Sequence, residues 1–332
     1  MASPCELLLE GTDETVVETA AAAGIAEVAR IESKYSRYLD DSVASAINRS
    51  AGDVAGCTVD DETAALLDYA ATAWAQSDGL FDITSGVLRE VWDFRSGQLP
   101  AKNDVKRALE RIGWQRVGWD SPVISLPAGM QIDFGGYGKE YAADRAAEIC
   151  RANGAVSGLV DLGGDVRVIG PRPDGSPWEI GVRDPRRTAG AVAQVSLASG
   201  GIATSGDYQR FMVVDGTRYS HILDPHDGWP VSGLTSVSVV ASHCLVAGTA
   251  STIAMLKGQD GASWLDGLGL PNLRIDAEGD VSGSLSYCDA SSSASAFGTA
   301  GSGGSGGAAR RAPSTRSCGV VASSVSPGST TT

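Results

Sequence analysis

Three histidines occur in 332 residues, His221, His226 and His243, and two of them fall in one short stretch, YSHILDPHDGWPV at positions 219–231. An imidazole with an ordinary pKa near 6.5 can accept a proton at neutral pH, so His221, on a strand-like run entering a proline-bounded turn, is a candidate general base. The alternative is a strand histidine satisfied beside Asp224; His226 and His243 match no chemical pattern. A second suggestive stretch is IDFGGYGKEYAAD at 132–144, read as a strand running through Gly135, Gly136 and Gly138 directly into a helix. Three glycines allow close backbone approach, the N–H groups at a helix start favour an anion, and Lys139 adds positive charge, which together would suit a pyrophosphate. The pattern is neither the G-x-G-x-x-G of dinucleotide folds nor a P-loop, and a plain tight turn fits it as well. The glycine pair in LVDLGGDVRVIG at 159–170 has the same two readings, phosphate cradle or hairpin corner beside Asp165.

The elements that must carry these residues alternate along the chain. CELLLE reads as a strand, and helices are expected at 14–38, 61–76, 103–113, 138–154 and 245–258, several of them closing at a glycine such as Gly79. After about residue 155, short β-favouring runs dominate: SGLVDLGG, VRVIG, WEIGVR, VAQVSLA, FMVVDG, TRYSHI and TSVSVVA. A helix-rich first half and a strand-rich second half predict an α+β fold, one large domain with a mixed or antiparallel sheet and flanking helices over 1–288. From Asp289 to Thr332 the chain is mostly Ser, Gly, Ala and Thr; it cannot offset its own ordering entropy and is expected to be a disordered tail.

Composition narrows the partners. The net charge is −14 and no Lys/Arg-rich run offsets it, which argues against nucleic acid or an anionic membrane. Six cysteines lie far apart without a C-x-x-C pair, so neither a zinc knuckle nor a redox motif is expected. No window is long and apolar enough for a membrane span, and MASPCELLLEG lacks the regions of a secretory signal. As written, the sequence is expected in the cytoplasm; a start further upstream would make it periplasmic or membrane-anchored.

Taken in order, these segments resemble the ApbE family, the FAD:protein FMN transferases, from residue 1 to about 258. The stretches that carry the resemblance are MASPCEL, SRYLDDSVASAIN, SDGLFDITSG, IDFGGYGKEYAAD, LVDLGGDVRVIG, WEIGVRDP, GIATSGDYQR and YSHILDPHDGWPV. The resemblance implies the ApbE/T-fold-like architecture and a divalent-metal enzyme, Mg²⁺ by preference, that splits FAD, attaches FMN to a Thr or Ser of an acceptor protein and releases AMP. It implies His221 as the base; Met1, Tyr38, Leu80, Phe81, Asp82, Asp133, Lys139 and Ile222 as FAD-contacting positions; and Gly136, through its carbonyl, and Thr252 as metal ligands. Ser205 and Tyr208 would border the flavin or the acceptor. Core packing is the competing reading for Met1, Tyr38, Phe81 and Ile222, local turn capping for the two Asp residues, and a polar hairpin turn for Ser205 and Tyr208.

Two departures from the family pattern bear on the metal. The late helix reads AGTAST, with Thr252 present but Gly248 where the family has an Asp, and Glu140 follows Lys139 where the family usually has Gly. Losing a carboxylate weakens a Mg²⁺ site unless another acid, such as Asp207 or Asp224, or water substitutes. Glu140 is expected to pair with Lys139. An FAD carrier or sensor, or a slow FAD pyrophosphatase, is the alternative function if the metal site has decayed.

Overall fold

The computed structural model describes residues 4–186, 190–287 and the backbone of 288–289 and 318–324. Met1 lies outside these residues, as does most of the chain after Asp289. The exception there is Cys318–Ser324, which forms a strand where a tail without structure was expected.

The chain opens with β1 (Cys5–Gly11), then α1 (Glu14–Tyr35), α2 (Val43–Arg49), β2 (Cys57–Thr58) and α3 (Asp61–Gln76). Asp13 starts α1 by accepting the N–H groups of Thr15 and Val16, and Asp60 does the same for α3 through Thr63, relieving donors that a helix start leaves unpaired. Gly79, with φ of 84°, returns its N–H to the Trp74 carbonyl and closes α3. A 3-10 helix over Ile83–Glu90 precedes α4 (Lys102–Leu109), β3 (Gly118–Asp120), β4 (Val123–Ser125) and a 3-10 turn at Phe134–Gly136, which leads into α5 (Gly138–Ala152).

The second half is strand-rich: β5 (Gly158–Leu162), β6 (Asp165–Gly170), β7 (Trp178–Arg183), β8 (Ala191–Leu197), β9 (Gly201–Gly206), β10 (Phe211–Val214), β11 (Thr217–Ser220) and β12 (Leu234–Ala241). It closes with α6 (Cys244–Leu256), α7 (Gly261–Leu268), β13 (Asn272–Asp276), β14 (Val281–Gly283), β15 (Cys288–Asp289) and β16 (Cys318–Ser324).

The main sheet has eight strands in the order β14-β13-β12-β9-β6-β5-β1-β16. Every ladder in it is antiparallel. Gly163 and Gly164, both at positive φ, form the two-residue turn between β5 and β6, so this glycine pair is a hairpin corner. β6 is buried along its whole length because both faces are covered. Val166 and Val168 point into a cluster with Trp178, Val182 and Val195 from the β7–β8 layer, while Ile169 joins the core under the helices. By the alternation of a strand, Asp165 and Arg167 share the helix side with Ile169.

Those two charged residues are matched by the helices. Arg167 lies 3.1 Å from Asp144 of α5, and Asp144 in turn accepts the N–H groups of Cys244 and Leu245 at 2.8 and 2.9 Å. His243, at the N-cap of α6, makes no side-chain cap of its own, so α5 supplies the cap and fixes α6 beside it. A smaller core around Val87, Leu88, Trp92 and Met212 joins the 3-10 helix at 83–90 and α4 to the β10–β11 ribbon, which is not part of the main sheet. Among the described residues no helix is long and apolar enough to cross a membrane.

Candidate active site

The glycine turn is anchored in the large core by Phe134 and Tyr137, both fully buried. Met130–Asp133, expected as a strand, is extended but pairs with none; the Asn48 side chain takes the partner's place, accepting from the Ile132 N–H at 2.7 Å and donating to its carbonyl at 3.0 Å. Asp133 then caps the 3-10 turn by accepting the Gly135 N–H at 2.8 Å, while its own N–H bonds the Ile83 carbonyl. This ties the LFD stretch to the turn. Phe81 is buried, and its ring lies 3.5 Å from where a Cβ on Gly136 would stand. No side chain caps the start of α5, which leaves its first N–H groups available to an anion.

The expected site residues divide by how their polar atoms are used. Asp82 is committed: its carboxylate accepts from the Thr84 N–H and hydroxyl and, at 2.9 Å, from the Trp114 N–H. Asp133 holds Arg37 at 3.2 Å and Arg89 at 3.6 Å. Lys139 pairs with the buried Asp165, and Glu140 is 4.0 Å away, so the expected Lys139–Glu140 pair yields to Lys139–Asp165. Asp165 also accepts the Thr204 N–H, which fixes the Lys139 partner to β9. Ile222 is buried, Leu80 half-buried, and Tyr38, beyond the end of α1 at Tyr35, is 76% exposed beside Arg37. Burial raises the pKa of the Tyr208 phenol.

His221 follows β11 directly. Its N–H and its ring both reach the Arg210 carbonyl, Nδ1 at 3.1 Å. A carbonyl can only accept, so Nδ1 carries the proton and Nε2 keeps its lone pair. Burial, with help from the charges of Arg210 and Arg89, pushes the imidazole pKa down to about 4, although part of the ring still meets solvent. The ring is therefore neutral throughout the physiological range. The unfolded chain takes up this proton near pH 6.5 and the folded one only near 4, so the neutral ring's contribution to stability is present above 6.5 and is lost as pH falls towards 4.

The turn that follows is held from Ile222 to Val231 by backbone bonds and by Trp92, whose ring N–H donates to the Gly228 carbonyl at 2.8 Å. Gly228 has φ of 76°, and a Cβ there would stand 2.5 Å from Val105. We expect Gly228→Ala to destabilise the protein by about 1–3 kcal/mol, read as a lower urea midpoint.

Two residues connect the parts. Arg89, on the 3-10 helix, faces Asp133, lies close to Gly135 and acts electrostatically on His221. Ser205, near the end of β9, bonds the Thr252 hydroxyl at 2.9 Å, and two residues on, Asp207 acts on His221 with the opposite sign to Arg89. Arg89, beside the glycine turn, and Asp207, two residues beyond the Ser205 that bonds Thr252, are thus both near enough to act on the imidazole. Arg89 carries no motif signature; only its place on a helix that ends beside the glycine turn marks it.

At Gly248 the helices α5 and α6 touch. A Cβ there would lie 2.5 Å from Cγ of Glu140 and 3.0 Å from its Oε1, so the Glu140 side chain fills the space a residue at 248 would use. Glu140 is 7% exposed, its Oε2 is buried without a hydrogen-bond partner, and burial raises its pKa. An unpaired buried polar atom of this kind costs about 1–3 kcal/mol, more when charged. Among the described residues no group of three or more His, Cys, Asp or Glu side chains is arranged around a metal position. A separate cleft of about 140 Å³ lies behind Asp82, between Gly79, Gln115 and His226. It is below the range of small-molecule sites.

The chain is similar to proteins of known kind. The chain is 31% identical over 272 residues to the FAD:protein FMN transferase of Treponema pallidum, covering 73% of this chain and 74% of that one. It is 32% identical over 235 residues to the enzyme of the same description in Salmonella typhimurium, covering 67% of each. Among solved structures, the ApbE protein of Thermotoga maritima aligns with a TM-score of 0.77 at 33% identity, over 83% of this chain and 92% of that one. The flavinyl transferase ApbE of Pseudomonas stutzeri aligns at 0.69 and 27% identity, over 80% and 86%. With the ApbE family pattern matched across residues 1–272 and the fold shared with solved ApbE proteins, this chain belongs to the ApbE family.

Proposed function

We propose that the protein is an FAD:protein FMN transferase whose base is His221. The observation that carries the reading is a neutral imidazole whose Nε2 keeps its lone pair, under the charge of the Arg89 that stands beside the glycine turn, in a chain whose relatives are named for this reaction. The hydroxyl of a Thr or Ser on the acceptor protein gives its proton to Nε2 while its oxygen bonds to the phosphorus on the FMN side. The bond from that phosphorus to the bridging oxygen breaks, and AMP leaves with the electron pair. Lys139, Arg89 and the first N–H groups of α5 draw the diphosphate to the turn. Phe81, Leu80, Ile222 and Tyr38 offer the flavin an aromatic and apolar border, with Met1 a further contact by family pattern. Asp82 and Asp133, whose oxygens are already bonded within the protein, position the turns.

A divalent cation, Mg²⁺ by chemistry, would neutralise diphosphate charge when bound. The Gly136 carbonyl and the Thr252 hydroxyl are the ligands that the family pattern supplies, and the orphaned Glu140 oxygen at Gly248 fits a cation nearby. The test is incubation with FAD, Mg²⁺ and a Thr-containing acceptor. A fluorescent adduct heavier than the acceptor by FMN, with AMP released, is expected; tight FAD binding without AMP would make the protein a carrier instead.

The same geometry sets a pH response. Because the His221 pKa is lowered to about 4, its base form is complete well below neutrality. The rate of transfer is expected to show no loss attributable to this group between pH 7.5 and about 5.5, measured as kcat/KM for FAD across that range. A limb centred near 6.5 would contradict the burial of the ring.

A further inference from the structure

We infer that Glu140 of α5 is the cation-holding carboxylate of this chain, in place of a side chain at position 248 on α6. The inference rests on the metal-dependent reading above but starts from packing. The carboxylate and the glycine are complementary: with Glu140 as placed, any side chain at 248 would overlap its Cγ, Cδ and Oε1. The acid is thus brought by the helix that begins at the glycine turn, to the spot on α6 where the late helix has none.

The surroundings fit a ligand rather than a structural ion pair. Oε2 has no partner, although Glu140 is more than nine-tenths buried. The nearest cation, Lys139, is bound to Asp165 and stands 4.0 Å from Oε1, at the edge of any pairing. Thr252 is one helical turn beyond Gly248 on the same face of α6, and Gly136 is four residues before Glu140 at the mouth of α5. Carboxylate, hydroxyl and carbonyl oxygens are the hard donors that Mg²⁺ and Mn²⁺ select. Asp144, the other acid on this face of α5, is taken by Arg167 and the α6 N-terminus and is not free to bind.

The experiment measures cation binding directly, apart from turnover. Mn²⁺ is titrated into the protein with FAD present, following free Mn²⁺ by electron paramagnetic resonance, for the wild type, Glu140→Gln, and the exchange variant Glu140→Gly with Gly248→Asp. Glu140→Gln is expected to weaken Mn²⁺ binding at least about tenfold, and the exchange variant to recover most of it. Wild-type affinity in Glu140→Gln, or no Mn²⁺ bound by the wild type, overturns the inference. If Glu140→Gln does not fold, a folded exchange variant that fails to bind Mn²⁺ overturns it equally. The adduct assay on the wild type is read separately. Adduct formation with an unaffected Glu140→Gln sinks the carboxylate assignment alone, whereas Mn²⁺ held through Glu140 without any adduct sinks the transferase reading and leaves the cation site standing.

Discussion

Replacing His221 with alanine is expected to lower the rate of FMN transfer by about 10²–10⁴-fold while FAD still binds. The ring's Nδ1 is spent on the Arg210 carbonyl, so truncation removes Nε2, the proposed proton acceptor, while the residue, still partly open to solvent, gives up little packing. FAD affinity followed by flavin fluorescence, alongside AMP release, separates the two effects. His226→Ala is the control: its ring is exposed and no contact ties it to the turn at 133–139, so transfer should stay near wild type. Equal loss in both variants would remove His221 from its role.

The largest effect on stability is expected at Asp144. Alanine there removes three interactions together: the pair with Arg167 at 3.1 Å and the two N–H bonds that begin α6. Breaking a buried pair from one side costs about 3–5 kcal/mol because the remaining charge loses its partner, and a lost helix cap adds about 1 kcal/mol. Urea unfolding by circular dichroism should therefore show a sharply lower midpoint. Asp144→Asn, which keeps an acceptor for α6 but not the charge for Arg167, should fall between. Little change in Asp144→Ala would mean that α6 is fixed by its apolar face alone.

Local signals in the sequence served the helices well. Gly79 closes α3 as its place in the sequence suggests, and α1, α3, α5 and α6 lie close to the ranges expected for them. β9 and β13 were not legible. GIATSG is buried on both faces, so it shows no alternation, and NLRID is too short to stand out. Nor could strand order be read, because β1 lies against β5, far along the chain, with no local marker of the pairing. Within the site, the histidine and the glycine turn announced themselves by residue type. The Asp165 partner of Lys139, the bridging Arg89 and the fit of Glu140 onto Gly248 did not, since each depends on elements that meet only in three dimensions.

The imidazole and Thr252 belong to different bodies. One follows a two-stranded ribbon packed over the small Trp92–Met212 core; the other lies on α6 against the eight-stranded sheet. A ribbon with so little beneath it loosens before a large sheet does, as local openings in proteins generally precede global ones. Mild heat would therefore silence the protein while its ellipticity stayed intact.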